Sequence, residues 1–244
     1  MSNTVDNLRS SFLDKNTCMN CAKRCHSLLN ELSYDELKTL NQNRYTVSFS
    51  ANETICKEGT KSLGLICLNK GKVKIMRSGM IGAEQILALK KPVDFIGFRT
   101  LMNGNTYLSS AIAIDDVSVC IIDKQDFFKV IANNEQLAFK IIRFLTQQLN
   151  EMDIRLFNHT QKHIRARMAD ALLMIFEIYG TNADTDILNV SLKRADLAAL
   201  ANMTIANAIR LLSSFAKENL IEVNRRDIKI LDINGLKDLS VFGL

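Results

Sequence analysis

Between Asn133 and His159, the residues Ala138, Ile142, Leu145, Leu149, Met152, Leu156 and His159 recur at alternating steps of four and three, with no Pro or Gly among them. That spacing is the a/d seam of a coiled coil, and it predicts one uninterrupted helix over these 27 residues. At about 1.5 Å per residue the rod is roughly 40 Å long, longer than an ordinary domain helix. Such a rod cannot cover its own stripe, so Ile142, Leu145, Leu149, Met152 and Leu156 are expected to meet a second copy of the chain. The alternative is a long core helix within one subunit, but a strict heptad is narrower than the stripe such a helix carries. A second apolar set, Leu137, Ile141 and Phe144, lies off the seam and suits docking the start of the rod onto the segment before it.

A chain of 244 residues, 47% hydrophobic and 23% charged, can bury one or two cores and gives no reason to expect disorder. It has neither the apolar stretch of a signal peptide near its start nor a run of about 18 apolar residues. The expectation is therefore a cytoplasmic protein with no membrane partner. In that compartment its six cysteines are free thiols, metal ligands or small core residues, not a disulfide framework. The net charge of +5 divides as 20 basic against 16 acidic residues through Thr160, and 11 against 10 after it. No basic excess marks the C-terminal part, so binding to DNA has to be argued from motif and local clustering.

Residues 1–32 form a polar start that contains Cys18-Met-Asn-Cys21-Ala-Lys-Arg-Cys25-His26, a metal-type spacing of thiols. Residues 33–132 open with a capping box, Ser33 and Glu36, on a short helix. Short β-rich runs follow, from Tyr45 to Phe49, Leu63 to Asn69, Val73 to Arg77, Gln85 to Leu89 and Leu108 to Ile122. Seven of the ten glycines punctuate them, which argues for an antiparallel sheet closed into a barrel or roll. Asp123 to Asn133 reads as a short helix feeding the rod of residues 133–160.

Residues 161–244 begin with an amphipathic helix, His163 to Tyr179, stopped by Gly180. Two short helical patterns within Leu192 to Leu220 are then joined by Asn202-Met203-Thr204. Ala198 supplies a small residue where the helices touch, Asn202 suits a left-handed turn and Thr204 caps the second helix. Ile221 to Val223 and Ile228 to Ile233 flank Asn224 to Asp227, a β-hairpin or wing with Arg225 and Arg226 at its tip. This is a winged helix-turn-helix pattern. An αα-hairpin in a helical core is the alternative, and the preceding dimer helix favours DNA because two recognition helices gain from being one DNA turn apart.

A β-roll, a long dimerisation helix and a winged helix-turn-helix, in that order, resemble the CRP/FNR superfamily of bacterial transcription regulators over nearly the whole chain. The marks are Glu58-Gly59, Lys70-Gly71-Lys72-Val73, Phe95-Ile96-Gly97, Arg194-Ala-Asp-Leu-Ala and Ile209-Arg210-Leu-Leu. The resemblance implies an α+β fold with an N-terminal roll of the cyclic-nucleotide-binding type. It also implies a homodimeric regulator that binds a double-stranded operator and works with RNA polymerase. Lys193, Arg194, Thr204, Ile205, Asn207, Arg210, Arg225 and Arg226 are then the expected DNA-facing residues. Many relatives present Arg-Glu-x-x-x-Arg to the major groove, where this chain has Ile205 to Arg210, so its half-site should differ.

Within that superfamily the cyclic-nucleotide binders carry a Glu after the Gly matched by Gly97, and an Arg-Ser pair on the next strand. This chain has Phe98 and Ser109-Ser110, which leaves a buried phosphate without a charge partner, so no cyclic AMP binding is expected. Arg99 could serve another anion or lie at the surface. The FNR branch holds an iron–sulfur cluster with three N-terminal cysteines and a fourth on the roll, which implies Cys18, Cys21, Cys25 and Cys120 here. The gap between the second and third is three residues against the branch's usual five, so Zn with His26 or Cys120 as fourth ligand is the other metal. The reading without metal makes Cys120 a core residue. Cys56 and Cys67, placed singly in β-rich runs, are assigned to the core. His159 and His163 at the hinge offer heme as a weaker sensor alternative, and a regulator of the same fold answering an unknown ligand is the rival. No enzyme is expected, since no Gly-rich phosphate loop, HExxH or GxSxG is present.

Overall fold

The computed structural model describes residues 18–21, 24, 27–79 and 84–242. Helix α1 (Tyr34–Asn41) starts at the predicted capping box, in which Ser33 Oγ accepts from the Glu36 amide and the Glu36 carboxylate accepts from the Ser33 amide at 2.7 Å. The strands that follow are β1 (Tyr45–Phe49), β2 (Thr54–Cys56), β3 (Leu65–Lys70), β4 (Val73–Ser78), β5 (Glu84–Lys90), β6 (Phe95–Ile96), β7 (Ser110–Ala113) and β8 (Val117–Ile122). Among the described residues they make two four-stranded antiparallel sheets, β1-β8-β3-β6 and β2-β7-β4-β5. The inward residues, among them Ile66, Leu68, Val73, Ala111 and Val119, are shut between the sheets as the alternation of a β-roll requires.

The expected run from Leu108 to Ile122 is two strands, not one. The chain turns at residues 114–116, where the Asp115 and Asp116 carboxylates accept from the Lys72 and Ala51 amides. Strands β2 and β6, of three and two residues, are too short to show a period of two. Helix α2 (Phe98–Asn103) also escaped the sequence reading. It starts at Gly97, whose φ of 68° and proximity to the Tyr107 ring exclude a side chain: a Cβ there would lie 2.3 Å from Tyr107 Cε1.

Helix α3 (Lys124–Ala132) leads into α4 (Glu135–Gln161), the expected rod, which begins at an Asn134 cap and runs 27 residues without a break. Leu137 and Ile141 are buried and Phe144 half-buried against the roll, the docking that the off-seam set implied. Helices α5 (Ile164–Tyr179), α6 (Arg194–Leu200) and α7 (Ile205–Lys217) precede the hairpin β9 (Ile221–Asn224) and β10 (Asp227–Ile230). A last helix, α8 (Ile233–Phe242), stands where the sequence suggested only the end of a strand; Asp232 Oδ1 accepts from the Gly235 amide and opens it.

The roll and the C-terminal helices share one core. Met76, Ile86 and Leu89, on β4 and β5, pack with Leu172, Leu197 and Phe215. At its edge the Lys74 ammonium meets Asp196 Oδ1 at 2.6 Å, and each residue is only 8% exposed.

Candidate functional site: a nucleic-acid interface and a cysteine-lined cavity

Helices α6 and α7 meet at Ala198, which is buried, and the chain turns between them with Asn202 at φ 51°. Thr204 Oγ1 accepts from the Asn207 amide at 3.2 Å and caps α7, as its position implied. Helix α7 therefore buries Ala208, Leu211, Leu212 and Phe215 and turns Ile205, Ile209 and Arg210 outward. Arg210 Nη2 donates to Asn207 Oδ1 at 3.0 Å, which holds the two polar side chains of that outer face together. Arg225 and Arg226 form the exposed two-residue turn of the wing, with Asn224 paired to Asp227. Arg194 Nη2 donates to the Arg225 carbonyl at 2.5 Å and ties α6 to the wing tip. Lys193 stands apart from this group, because its ammonium donates to Asn52 Oδ1 on the roll at 3.1 Å.

The rod leaves much of its seam open. Ile142 and Leu149 are each 57% exposed, Met152 47% and Leu156 66%, while Leu145 is half-buried. Arg99 reaches this face and donates to Met152 Sδ at 2.9 Å. Phe98, at the position where the cyclic-nucleotide binders carry Glu, is buried among Phe95, Phe127 and Phe144 with ring centroids 5.4 to 6.0 Å away. Ser110 Oγ accepts from the Glu58 amide at 3.0 Å.

The second constellation is a cavity of about 60 Å³ whose wall includes Cys18, Cys21, Cys67, Cys120, Arg24 and Arg44. Cys18 is anchored by its amide, which donates to Asn41 Oδ1 at 3.0 Å, and Cys21 by the turn in which the Arg24 amide donates to its carbonyl. Cys120 lies on β8 directly opposite Cys67 on β3. Arg44 Nη2 donates to Cys120 Sγ at 2.8 Å. Burial pushes the Cys18 thiol up from its ordinary range against the pull of the Arg44 guanidinium, and pushes Cys67 well up with the neighbouring thiols adding to it. The structure thus gathers three of the four expected metal cysteines; Cys25 lies outside the described residues. Cys67 packs against the core cluster of Leu29, Leu65 and Phe95, in keeping with its core assignment, but it lies outside the sandwich interior and its side chain also lines this cavity. Alternation alone could not reveal this, because the N-terminal segment covers the outer face of the sheet. Cys56 is a core residue as expected, its thiol pushed up to about 11 by burial.

The donor set suits a thiophilic metal centre. Arg24 Nη1, beside the thiols, is buried without a hydrogen-bond partner among the described residues, an orphan that a negatively charged thiolate centre would satisfy. Among the described residues no three His, Cys, Asp or Glu side chains are arranged to hold a metal ion; the thiols stand around the cavity wall. No helix among them is long and apolar enough to cross a membrane.

Residues 46–134 match the Cyclic nucleotide-binding domain family and residues 166–239 the Crp-like helix-turn-helix domain family. The chain is 24% identical over 196 residues to the Cyclic AMP receptor protein of Thermus thermophilus, covering 80% of this chain and 88% of that one. It is 24% identical over 224 residues to the Nitrogen fixation regulation protein FixK of Bradyrhizobium diazoefficiens, covering 88% and 90%. Among solved structures, FixK2 of Bradyrhizobium japonicum superposes with a TM-score of 0.72 at 21% identity, over 81% of this chain and 98% of that one.

Proposed function

Because the chain belongs to the CRP/FNR family of DNA-binding transcription regulators with a ligand-sensing domain, we propose that it works as a homodimer joined along α4. The observation that carries this is the open seam: Ile142, Leu149, Met152 and Leu156 are half or more exposed, or nearly so, along one face of a single helix. Fully burying such a side chain is worth roughly 1.5–3 kcal/mol, so four from each copy stabilise a dimer by several kcal/mol even after the costs of association. Two copies then present two α7 helices to successive major grooves of a double-stranded operator. Asn207 and Arg210 read base edges, Arg225 and Arg226 meet phosphates or the minor groove, and Arg194 holds the wing in place. RNA polymerase is the partner such a bound dimer addresses. Selection on randomised duplexes tests the reading: it should return a palindrome with half-sites about one helical turn apart, and a single unrepeated site would contradict it.

The sensory input in this reading arrives at the cysteine-lined cavity, not as cyclic AMP. Phe98 has no acceptor for a ribose hydroxyl, and Ser109 stands where the cyclic-nucleotide binders place a cation. An iron–sulfur cluster bound there would supply sensitivity to oxygen or nitric oxide, whereas Zn would supply a structural clamp. The protein's own contribution is mechanical. Phe95 belongs to the cavity wall and also packs edge-on against Phe144 of the rod, with centroids 6.2 Å apart. The segment before α1 is fastened to the rod as well, through Lys140 with Glu31 and Asn30, and α1 itself meets the rod's cap, where Asn134 donates to Glu36. A change at the thiols therefore shifts groups that touch the dimer helix. An anaerobic preparation that is brown, with absorbance at about 400 nm, would support the cluster, and a colourless one containing Zn the clamp.

A further inference from the structure

We propose that Cys67 completes, with Cys18, Cys21 and Cys120, the four-thiolate ligand set of a metal centre in this cavity, making Cys25 dispensable for it. This rests on the reading above that the cavity holds a metal. Cys67 and Cys120 are directly opposed on adjacent antiparallel strands, which puts both side chains on one face with Cβ atoms about 4.5–5.5 Å apart. Their neighbours in sequence, Ile66, Leu68, Val119 and Ile121, point the other way into the sandwich. Cys18 and Cys21 close over that outer face at the C-x-x-C spacing of a metal knuckle. Two rigid strand positions and one short turn thus surround a single cavity with four sulfurs.

The charge environment fits the same set. Four thiolates around a divalent ion, or around an iron–sulfur core of charge +2, carry a net charge of −2. Arg44 already donates to Cys120, and Arg24 turns to the same wall a buried guanidinium nitrogen that has no hydrogen-bond partner among the described residues. The cavity wall also carries a strained residue. Val93 holds φ 87°, a region that β-branched residues avoid, in the turn after Pro92, and its amide donates to the Leu68 carbonyl at 2.8 Å. Neutral thiols have no cause to converge on a point; deprotonation on metal binding supplies it.

The test uses the full chain prepared anaerobically, as wild type and as the Cys25→Ser, Cys67→Ser and Cys67→Ala variants. Iron, acid-labile sulfide and zinc are measured per chain, metal is competed against a chelator, and sulfur ligands are counted by X-ray absorption. Cys25→Ser should retain full occupancy with four sulfur ligands, while both Cys67 variants hold metal at least about tenfold more weakly. Full occupancy in Cys67→Ala with loss in Cys25→Ser would overturn the assignment and leave the metal reading standing. A wild type that binds neither iron nor zinc would remove both. Should the Cys67 variants fail to fold, the count on Cys25→Ser decides: four sulfurs support Cys67, and three overturn it.

Discussion

Arg225 holds φ at 53° at the first central position of the wing turn, which two-residue hairpins usually give to Gly. The left-handed region costs a side-chain-bearing residue on the order of 1–2 kcal/mol, and this exposed side chain recovers nothing by packing. Arg225→Gly should therefore raise stability by about 1 kcal/mol, read as a higher urea midpoint. It should also weaken binding to specific and random DNA alike, with a salt dependence flatter by about one phosphate contact. Arg210→Ala should behave differently, costing about 1–3 kcal/mol on the preferred site and little on random sequence. Unchanged base preferences in that variant would make Arg210 a phosphate clamp. At the far end of the rod, burial and the nearby Arg167 and Arg155 hold the His159 imidazole below its ordinary pKa, with Asp170 opposing them. A depressed pKa means that stability is fully present above the ordinary value and lost as pH falls through it. Acidification from about pH 7 to about pH 5 should cost less stability in His159→Gln than in the wild type.

Among the elements, the rod, the two helices around Asn202 and the wing were legible because each carries its own local signal: a heptad, a cap, a turn residue. Strands β2 and β6 were not, since two or three residues display no period, and α8 was hidden because Ile233 continues an isoleucine-rich strand pattern. The place of Cys67 was illegible for a different reason: its outer sheet face would be solvent without the Cys18–Cys21 turn, a contact made by distant parts of the chain. The same holds for the joint in which Lys74 of β4 meets Asp196 of α6, residues 122 positions apart. Removing one member of a buried pair strands the other charge, and Asp196 also accepts from the Lys193 amide at 3.2 Å to cap α6. Lys74→Ala or Asp196→Ala should thus cost on the order of 3 kcal/mol in denaturant unfolding, while Lys74→Met combined with Asp196→Asn, which keeps an acceptor for that amide, costs less than either. Equal losses in the single and double variants would show that the pair itself stabilises the joint.

For the whole molecule, the shared core ties the helix-turn-helix domain to the roll within one chain, and the rod carries the apolar face that a second chain would cover. The arrangement of sensor, rod and reading head has a two-fold logic only if that face is the dimer seam. Solution mass by light scattering, on the wild type and on Leu149→Glu, tests this directly. Charged side chains facing each other in a dry seam cost several kcal/mol, so the wild type should be a dimer and the variant a folded monomer that no longer binds the operator. A Leu149→Glu protein that remains a dimer with unchanged operator affinity would contradict the account.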